Sequence, residues 1–297
     1  MLRNEADVAE AFVRHNLSIL DGIVAIDHGS VDGTGEILAR LRQEGLPLTV
    51  LRDARPEFFQ AERLTSLARQ VLARDGADFV FPLDADEFLK ASSRAELERV
   101  LADVEPSSNA IMHWLTYVPE SFADAGMPAL IHRRRTEAHG SYKCVVAREF
   151  AVRKSWYIAS GNHLVGDLES DKAPRHLRLP SSVIALAHCP VRSRRQLERK
   201  IVMGYLSHLA TRPRNAKHAH HWRELFEELR DGAVLDEACM RHVAFNYGLP
   251  RNAWKPLVSA ELVHDPVPFG FELRYPAPEG PDALRLLMRF TEALLAQ

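Results

Sequence analysis

FVFPLDADEFL, Phe79 to Leu89, is the stretch that decides the fold: the apolar run from Ala77 to Leu83 breaks off into Asp84, Asp86 and Glu87. A short apolar run bounded by charge predicts a strand buried on both faces. In open α/β sheets, ligands bind beyond the carboxyl ends of the strands. Two Asp side chains one residue apart at such an end suit a hard divalent cation, Mg²⁺ or Mn²⁺. Acids after a strand also solvate loops and cap helices, and on this motif alone that reading stands level with the metal one.

Working outward, helical and extended patterns alternate through the first half of the chain, the mark of a sheet wrapped by crossover helices. Val8, Phe12 and Leu17 predict a helix and Gly22 to Asp27 a strand. Asp32 is placed to cap a helix carrying Ile37, Leu38 and Leu41, and Leu48 to Leu51 is the next strand. Leu64, Leu67, Ala68, Val71 and Leu72 recur at helical spacing. Ser93 with Glu96 forms a capping box, and Ala110 to Val118 reads as another strand. Residues 119 to 180 mix Gly, Pro and charge, with extended segments at Lys143 to Arg148 and Trp156 to Ser160, and predict long functional loops. Trp114, Trp156 and Tyr157 could stack on sugar rings, but large aromatics are more often core residues, and they are given no role.

Val183 to His188 is the last strand, and Ser193 with Gln196 has capping-box spacing for the helix that follows. His188, at the strand end, is a candidate imidazole ligand for a metal held by Asp86. Arg192 and Lys200 beside the new helix N-terminus are candidate diphosphate contacts, since that terminus carries partial positive charge. Capping alone explains Ser193 and Gln196, and a solvated basic face is the competing reading of the two cations. The last third is mainly helical, with a His218, His220, His221 tract that reads as surface.

The chain has 297 residues, 46% hydrophobic and 26% charged, enough to bury one large core or two modest ones. A net charge of -2 without a long like-charged run excludes a nucleic-acid tail. Cys144, Cys189 and Cys239 lack paired spacing, which suits reduced thiols in a cytoplasmic protein. No apolar stretch approaches the roughly 18 residues of a membrane span, so any membrane contact is expected to be peripheral.

RNEAD at Arg3 to Asp7, IDHGSVDGT at Ile26 to Thr34 and LDADEF at Leu83 to Phe88, in this order, resemble family-2-type glycosyltransferases of the GT-A fold. The nearest likeness is to the bacterial subgroup whose strand end reads Asp-Ala-Asp-Glu-Phe, and it covers about residues 3 to 90. Where that family carries a full apolar first strand, this chain offers Met1 and Leu2. The resemblance implies that Arg3, Asn4, Glu5 and Asp27 hold the base and ribose with Gln60 and Arg63, that Asp84 sits near ribose and metal, and that Asp86 binds the metal.

The fold expected is α/β: a GT-A-like α/β/α sandwich with a mixed, mainly parallel sheet over residues 1–190 and a helical C-terminal extension over 191–297. The expected activity is metal-dependent transfer of a sugar from a nucleotide-sugar donor, such as a UDP-sugar, to a glycan or other hydroxyl acceptor. His163 and Glu120 are candidate bases by location. The rivals are a phosphatase of the haloacid dehalogenase type, whose strand also ends in Asp-x-Asp, and a binding protein of the same fold without turnover.

Overall fold

Local signals place the helix starts. Ser93 accepts a hydrogen bond from the Glu96 amide at 3.1 Å and Ser193 one from the Gln196 amide at 3.2 Å, so both serines cap their helices. Gln196 Oε1 accepts from the amide of Arg192, one residue before the cap, at 3.0 Å. Asp32 sits one residue before the cap position, which Gly33 fills, and accepts from the amide and hydroxyl of Thr34.

The structure, a computed structural model, describes residues 1–122, 126–137, 142–153, 155–169, 174–211, 220–278 and 280–295. His218 lies outside the described residues. In chain order the elements are α1 (Ala9–Leu17), β1 (Ile23–Asp27), α2 (Thr34–Gln43), β2 (Leu48–Arg52), α3 (Gln60–Arg74), β3 (Phe79–Val80), β4 (Glu87–Ala91), α4 (Arg94–Leu101) and β5 (Ser108–Thr116). There follow β6 (His132–Arg134), β7 (Tyr142–Ala147), α5 (Arg148–Ala151), β8 (Trp156–Ile158), β9 (Val165–Asp167), β10 (Arg175–Arg178) and β11 (Ile184–His188). The chain ends on α6 (Arg194–Ala210), α7 (His220–Arg230), α8 (Glu237–Asn246), β12 (Leu262–His264) and α9 (Ala283–Leu295). Among the described residues no helix is long and apolar enough to cross a membrane.

The fold is α/β with a mixed sheet, as the alternation predicts, but the chain divides differently from a cut near 190. One compact unit holds residues 59–115 and 137–188 with Met1; the other holds 2–58, 116–136 and 189–297. The N-terminal helices and strands thus belong with the C-terminal helices.

In the first unit a six-stranded sheet runs β3-β7-β5-β11-β4, with β10 paired to β5. The pairs β3·β7, β5·β7 and β4·β11 are antiparallel and β5·β10 is parallel, so this sheet is less parallel than expected. The strand expected over Ala77 to Leu83 pairs only at Phe79–Val80. Pro82, which has no amide hydrogen to give a ladder, stands where the pairing has stopped. Residues 85–86 turn, and Glu87 opens β4. The middle region expected to be loops carries the short strands β6 to β10. Trp156, Ile158, Val145 and Phe150 are fully buried in this unit, and Thr65 of α3 accepts the Ile158 amide at 2.9 Å.

In the second unit β1 and β2 pair in parallel from Ile23↔Leu48 to Asp27↔Arg52, and Leu2 adds one parallel bridge to Asp27. Val191, Leu197, Ile201, Leu225 and Val243 form the core under α6, α7 and α8, and Leu286 and Phe290 of α9 pack on Met203.

Glu44 at the end of α2 is clamped by Arg14 at 2.6 Å and by the Tyr275 hydroxyl at 2.5 Å. Those bonds, Arg14 first, hold its carboxyl down from 4.5 to about 2. A pKa depressed by folding gives stability that is complete above the unfolded value and lost as pH falls through the folded one. The melting-temperature gap between wild type and Glu44→Gln is therefore expected to be constant above about pH 5 and to close towards pH 2. A gap unchanged over that window would show that Glu44 does not carry this acid sensitivity.

Candidate functional site

The acids of the opening motif meet a lysine that no sequence signal marked. Lys143, on β7 and 2% exposed, places its ammonium 2.8 Å from Asp84 and 2.6 Å from Glu87. Asp84 also accepts from the Gln60 amide at 2.7 Å and more weakly from Asn162 at 3.4 Å. Its backbone amide donates to Glu87 at 2.8 Å. Lys143 thus bridges the fully buried Glu87 and the partly exposed Asp84. Burial opposes the charge on both, but at Asp84 the Lys143 ammonium overcomes it and lowers the pKa. Burial, together with Asp84 and Asp86, pushes Glu87 up to about 8 despite Lys143. Both Glu87 oxygens face donors, the Lys143 ammonium on one and the Asp84 amide on the other, so the lysine is shared between two carboxyl groups.

Asp86 and His188 come together. β4 and β11 pair antiparallel with His188 opposite Glu87, so the residue before β4 and the last of β11 share one sheet end. The expected route, two parallel strands opening on one crevice, is replaced by an antiparallel one with the same result. His188 Nε2 lies 3.5 Å from Asp86 Oδ2, and both side chains are buried. One imidazole and one carboxylate at that separation fit two neighbouring ligands of Mn²⁺ or Mg²⁺. Among the described residues no group of three or more such side chains stands ready to hold a metal ion.

Trp114 organises the rest. Its ring stacks on His163 at 5.5 Å between centroids, meets His188 edge-on at 4.5 Å and carries the Lys143 ammonium 5.6 Å from its centroid. Core packing alone was the expectation for it. His163 Nδ1 is 2.9 Å from the Tyr142 carbonyl, which can only accept, so Nδ1 carries hydrogen and Nε2 is the basic nitrogen. Burial and then Lys143 lower its pKa, favouring the neutral ring. The preceding turn is left-handed at Gly161 (φ 77°) and Asn162 (φ 60°). A Cβ on Gly161 would lie 2.6 Å from His163 Nε2, so glycine is required there. The Gly161 amide is anchored on Gln60 Oε1 at 3.2 Å.

Of the residues given to the nucleotide by resemblance, Gln60, Arg63 and Asp84 lie in the first unit and Arg3, Asn4, Glu5 and Asp27 in the second. Arg63 is buried, with its guanidinium over Phe59. In the second unit the two N-terminal motifs are stitched together: Asn4 and Glu5 amides donate to Ser30 and Thr34, the Val31 amide to Asn4, and the Ser30 amide to Asp27. Arg3 donates to Ser207 at 2.8 Å.

Arg192, fully buried, binds Asp7 at 2.6 Å, Glu5, and the Cys189 carbonyl at 3.1 Å. Its guanidinium is thus engaged in tying the Glu5–Asp7 segment to the start of α6. Lys200 reaches the Pro190 carbonyl at 3.4 Å and lies over Tyr247. A cavity of about 380 Å³ in this unit is lined by Asn4, Asp7, Asp32, Gln196, Arg195 and Arg199 among others, a volume in the range of small-ligand pockets. Glu120 also belongs to this unit, where it meets His132 at 2.9 Å.

The molecule is thus an α/β protein with a buried acid–lysine cluster beside an aspartate–histidine pair. No protein-family model matches the chain, and no curated protein matches it.

Proposed function

We propose that this protein is a metal-dependent glycosyltransferase that moves a sugar from a nucleoside-diphosphate sugar to an acceptor hydroxyl, with inversion at the anomeric carbon. The observation that carries this reading is the meeting of Asp86 and His188 at one sheet end, beside the Asp84–Lys143–Glu87 cluster. The family resemblance of the three ordered motifs supports it independently. A bound Mn²⁺ or Mg²⁺ would supply charge neutralisation for the leaving diphosphate. Asp86 and His188 are the side chains to hold it, with phosphate oxygens and water as further ligands, as is usual for Mg²⁺. Lys143 and Gln60 fix Asp84, and Trp114 seats the His188 ring. His163, neutral and presenting Nε2, is the candidate base for the acceptor hydroxyl.

The phosphatase reading is less favoured on geometry. That chemistry needs the first Asp as an accessible nucleophile, whereas both Asp84 carboxylate oxygens are held by Gln60, Asn162 and Lys143. The nucleoside roles of Arg3, Asn4, Glu5 and Asp27 rest on resemblance.

Nucleoside diphosphates, uridine diphosphate first, are expected to raise the melting temperature only slightly without metal and clearly with Mn²⁺ or Mg²⁺, because ligands of the native state stabilise it. A panel of nucleotides and nucleotide sugars that shifts nothing under either condition would remove the donor-site reading.

A further inference from the structure

Glu120 leads to a second place where metal-ligating side chains gather, far in character from the acidic cluster. β6 and β12 pair antiparallel with His132 opposite His264. The Asp265 amide donates to the Ile131 carbonyl at 2.9 Å, and the Arg135 amide to that of Glu261 at 2.8 Å. Residues 131 and 265 therefore form a hydrogen-bonded pair, and by the alternation of an antiparallel ladder His132 and His264 form a non-hydrogen-bonded one. In such pairs the Cα atoms are about 4.5 Å apart and the side chains stand closest, on the same face.

The ring centroids are 5.4 Å apart with planes at 71°. Two imidazoles binding one tetrahedral zinc at about 2.0–2.1 Å would have centroids roughly 5 Å apart. The observed pair is already near that spacing. Glu120 Oε1 lies 2.9 Å from His132 Nδ1. An ionised carboxylate can only accept, so Nδ1 carries the hydrogen and Nε2 presents its lone pair. A carboxylate that orients a ligating histidine in this way is the usual outer partner of zinc-bound imidazole. The half-buried Arg133–Asp265 pair, at 2.6 Å, belongs to residues of opposite alternation, so it lies on the other face from the histidines.

We propose that His132 and His264 form a two-histidine site for a borderline-soft divalent cation, Zn²⁺ or Ni²⁺, with Glu120 as positioning residue for His132, and that the bound ion clips β12 to β6. Imidazole ligands select such ions over Mg²⁺ and Mn²⁺, so the site is chemically separate from the Asp86–His188 pair and does not depend on the proposed function.

The test is Zn²⁺ titration of the full-length protein against a chromophoric chelator, in a His188→Ala background that removes the other candidate ligand. Melting curves of the same samples check folding. His132→Ala and His264→Ala are each expected to weaken Zn²⁺ binding at least tenfold and to abolish the Zn²⁺-induced rise in melting temperature. Glu120→Ala should weaken binding about tenfold, as loss of an outer partner does, and Glu120→Gln, which still accepts from Nδ1, much less. Joint replacement of His218, His220 and His221 by Ala should leave the site intact. Zn²⁺ affinity unchanged in His132→Ala and His264→Ala, or abolished by the 218–221 replacement alone, would overturn the proposal.

Discussion

Replacing Lys143 by methionine is expected to destabilise the protein by about 3–5 kcal/mol in urea unfolding, the range for removing one partner of a buried ion pair. Lys143 is 2% exposed and serves two carboxyls, so its loss leaves the buried Glu87 and the partly exposed Asp84 without the cation that bridges them. Protonation of the orphaned acids limits the cost, which makes it smaller at low pH. Lys143→Met is thus expected to approach wild-type stability as pH falls towards 4, and Lys143→Met with Asp84→Asn to recover part of the loss at pH 7. A loss under 1 kcal/mol at pH 7 would show that the cluster is not held by this lysine.

Arg192→Met is expected to cost a similar amount, about 3–5 kcal/mol, because the guanidinium is fully buried and neutralises Glu5 and Asp7. Arg192→Lys should recover part of it, since an ammonium keeps the charge but cannot make the forked contacts. The measurement also separates two roles. An anchoring Arg192 predicts lower stability with diphosphate affinity per folded molecule nearly unchanged. A direct diphosphate contact predicts a loss of about 1–3 kcal/mol in that affinity with nucleoside binding preserved, and the same readout applies to Lys200→Ala. Stability within 1 kcal/mol of wild type in Arg192→Met would refute the anchoring role.

These two cations also mark where sequence reading stops. Ser93, Ser193 and the strands at Ile23–Asp27 and Ile184–His188 were legible because caps and apolar runs act within a few residues. Lys143 was not, because a lone lysine beside a strand reads as solvent-facing, and its partner Asp84 is 59 residues away. Arg192 is legible as a cation, but its partner Asp7 lies 185 residues upstream, and without that contact an anion ligand and a solvated basic face read equally well.

Strand direction behaved likewise. Apolar runs locate strands but say nothing of pairing, so an alternating pattern predicted a mainly parallel sheet where β4 and β11 run antiparallel. The meeting of Asp86 with His188 was nevertheless anticipated, because each flanks an apolar run that the fold had to bury. Trp114 could have been read only from its neighbours in space: His163 and His188 are close to it through the fold, and spacing along the chain does not reveal that.

The pair of Asp86 and His188 carries the proposed function, and titration of Mn²⁺ in the presence of a nucleoside diphosphate tests it most directly. Asp86→Asn should abolish Mn²⁺-dependent nucleotide binding, and His188→Ala should weaken Mn²⁺ affinity tenfold or more while the metal-free protein stays folded. If His188 is instead a core residue packed against Trp114, His188→Ala will lower the melting temperature of the metal-free protein. Mn²⁺ affinity per folded molecule will then be unchanged, and that result would contradict the account.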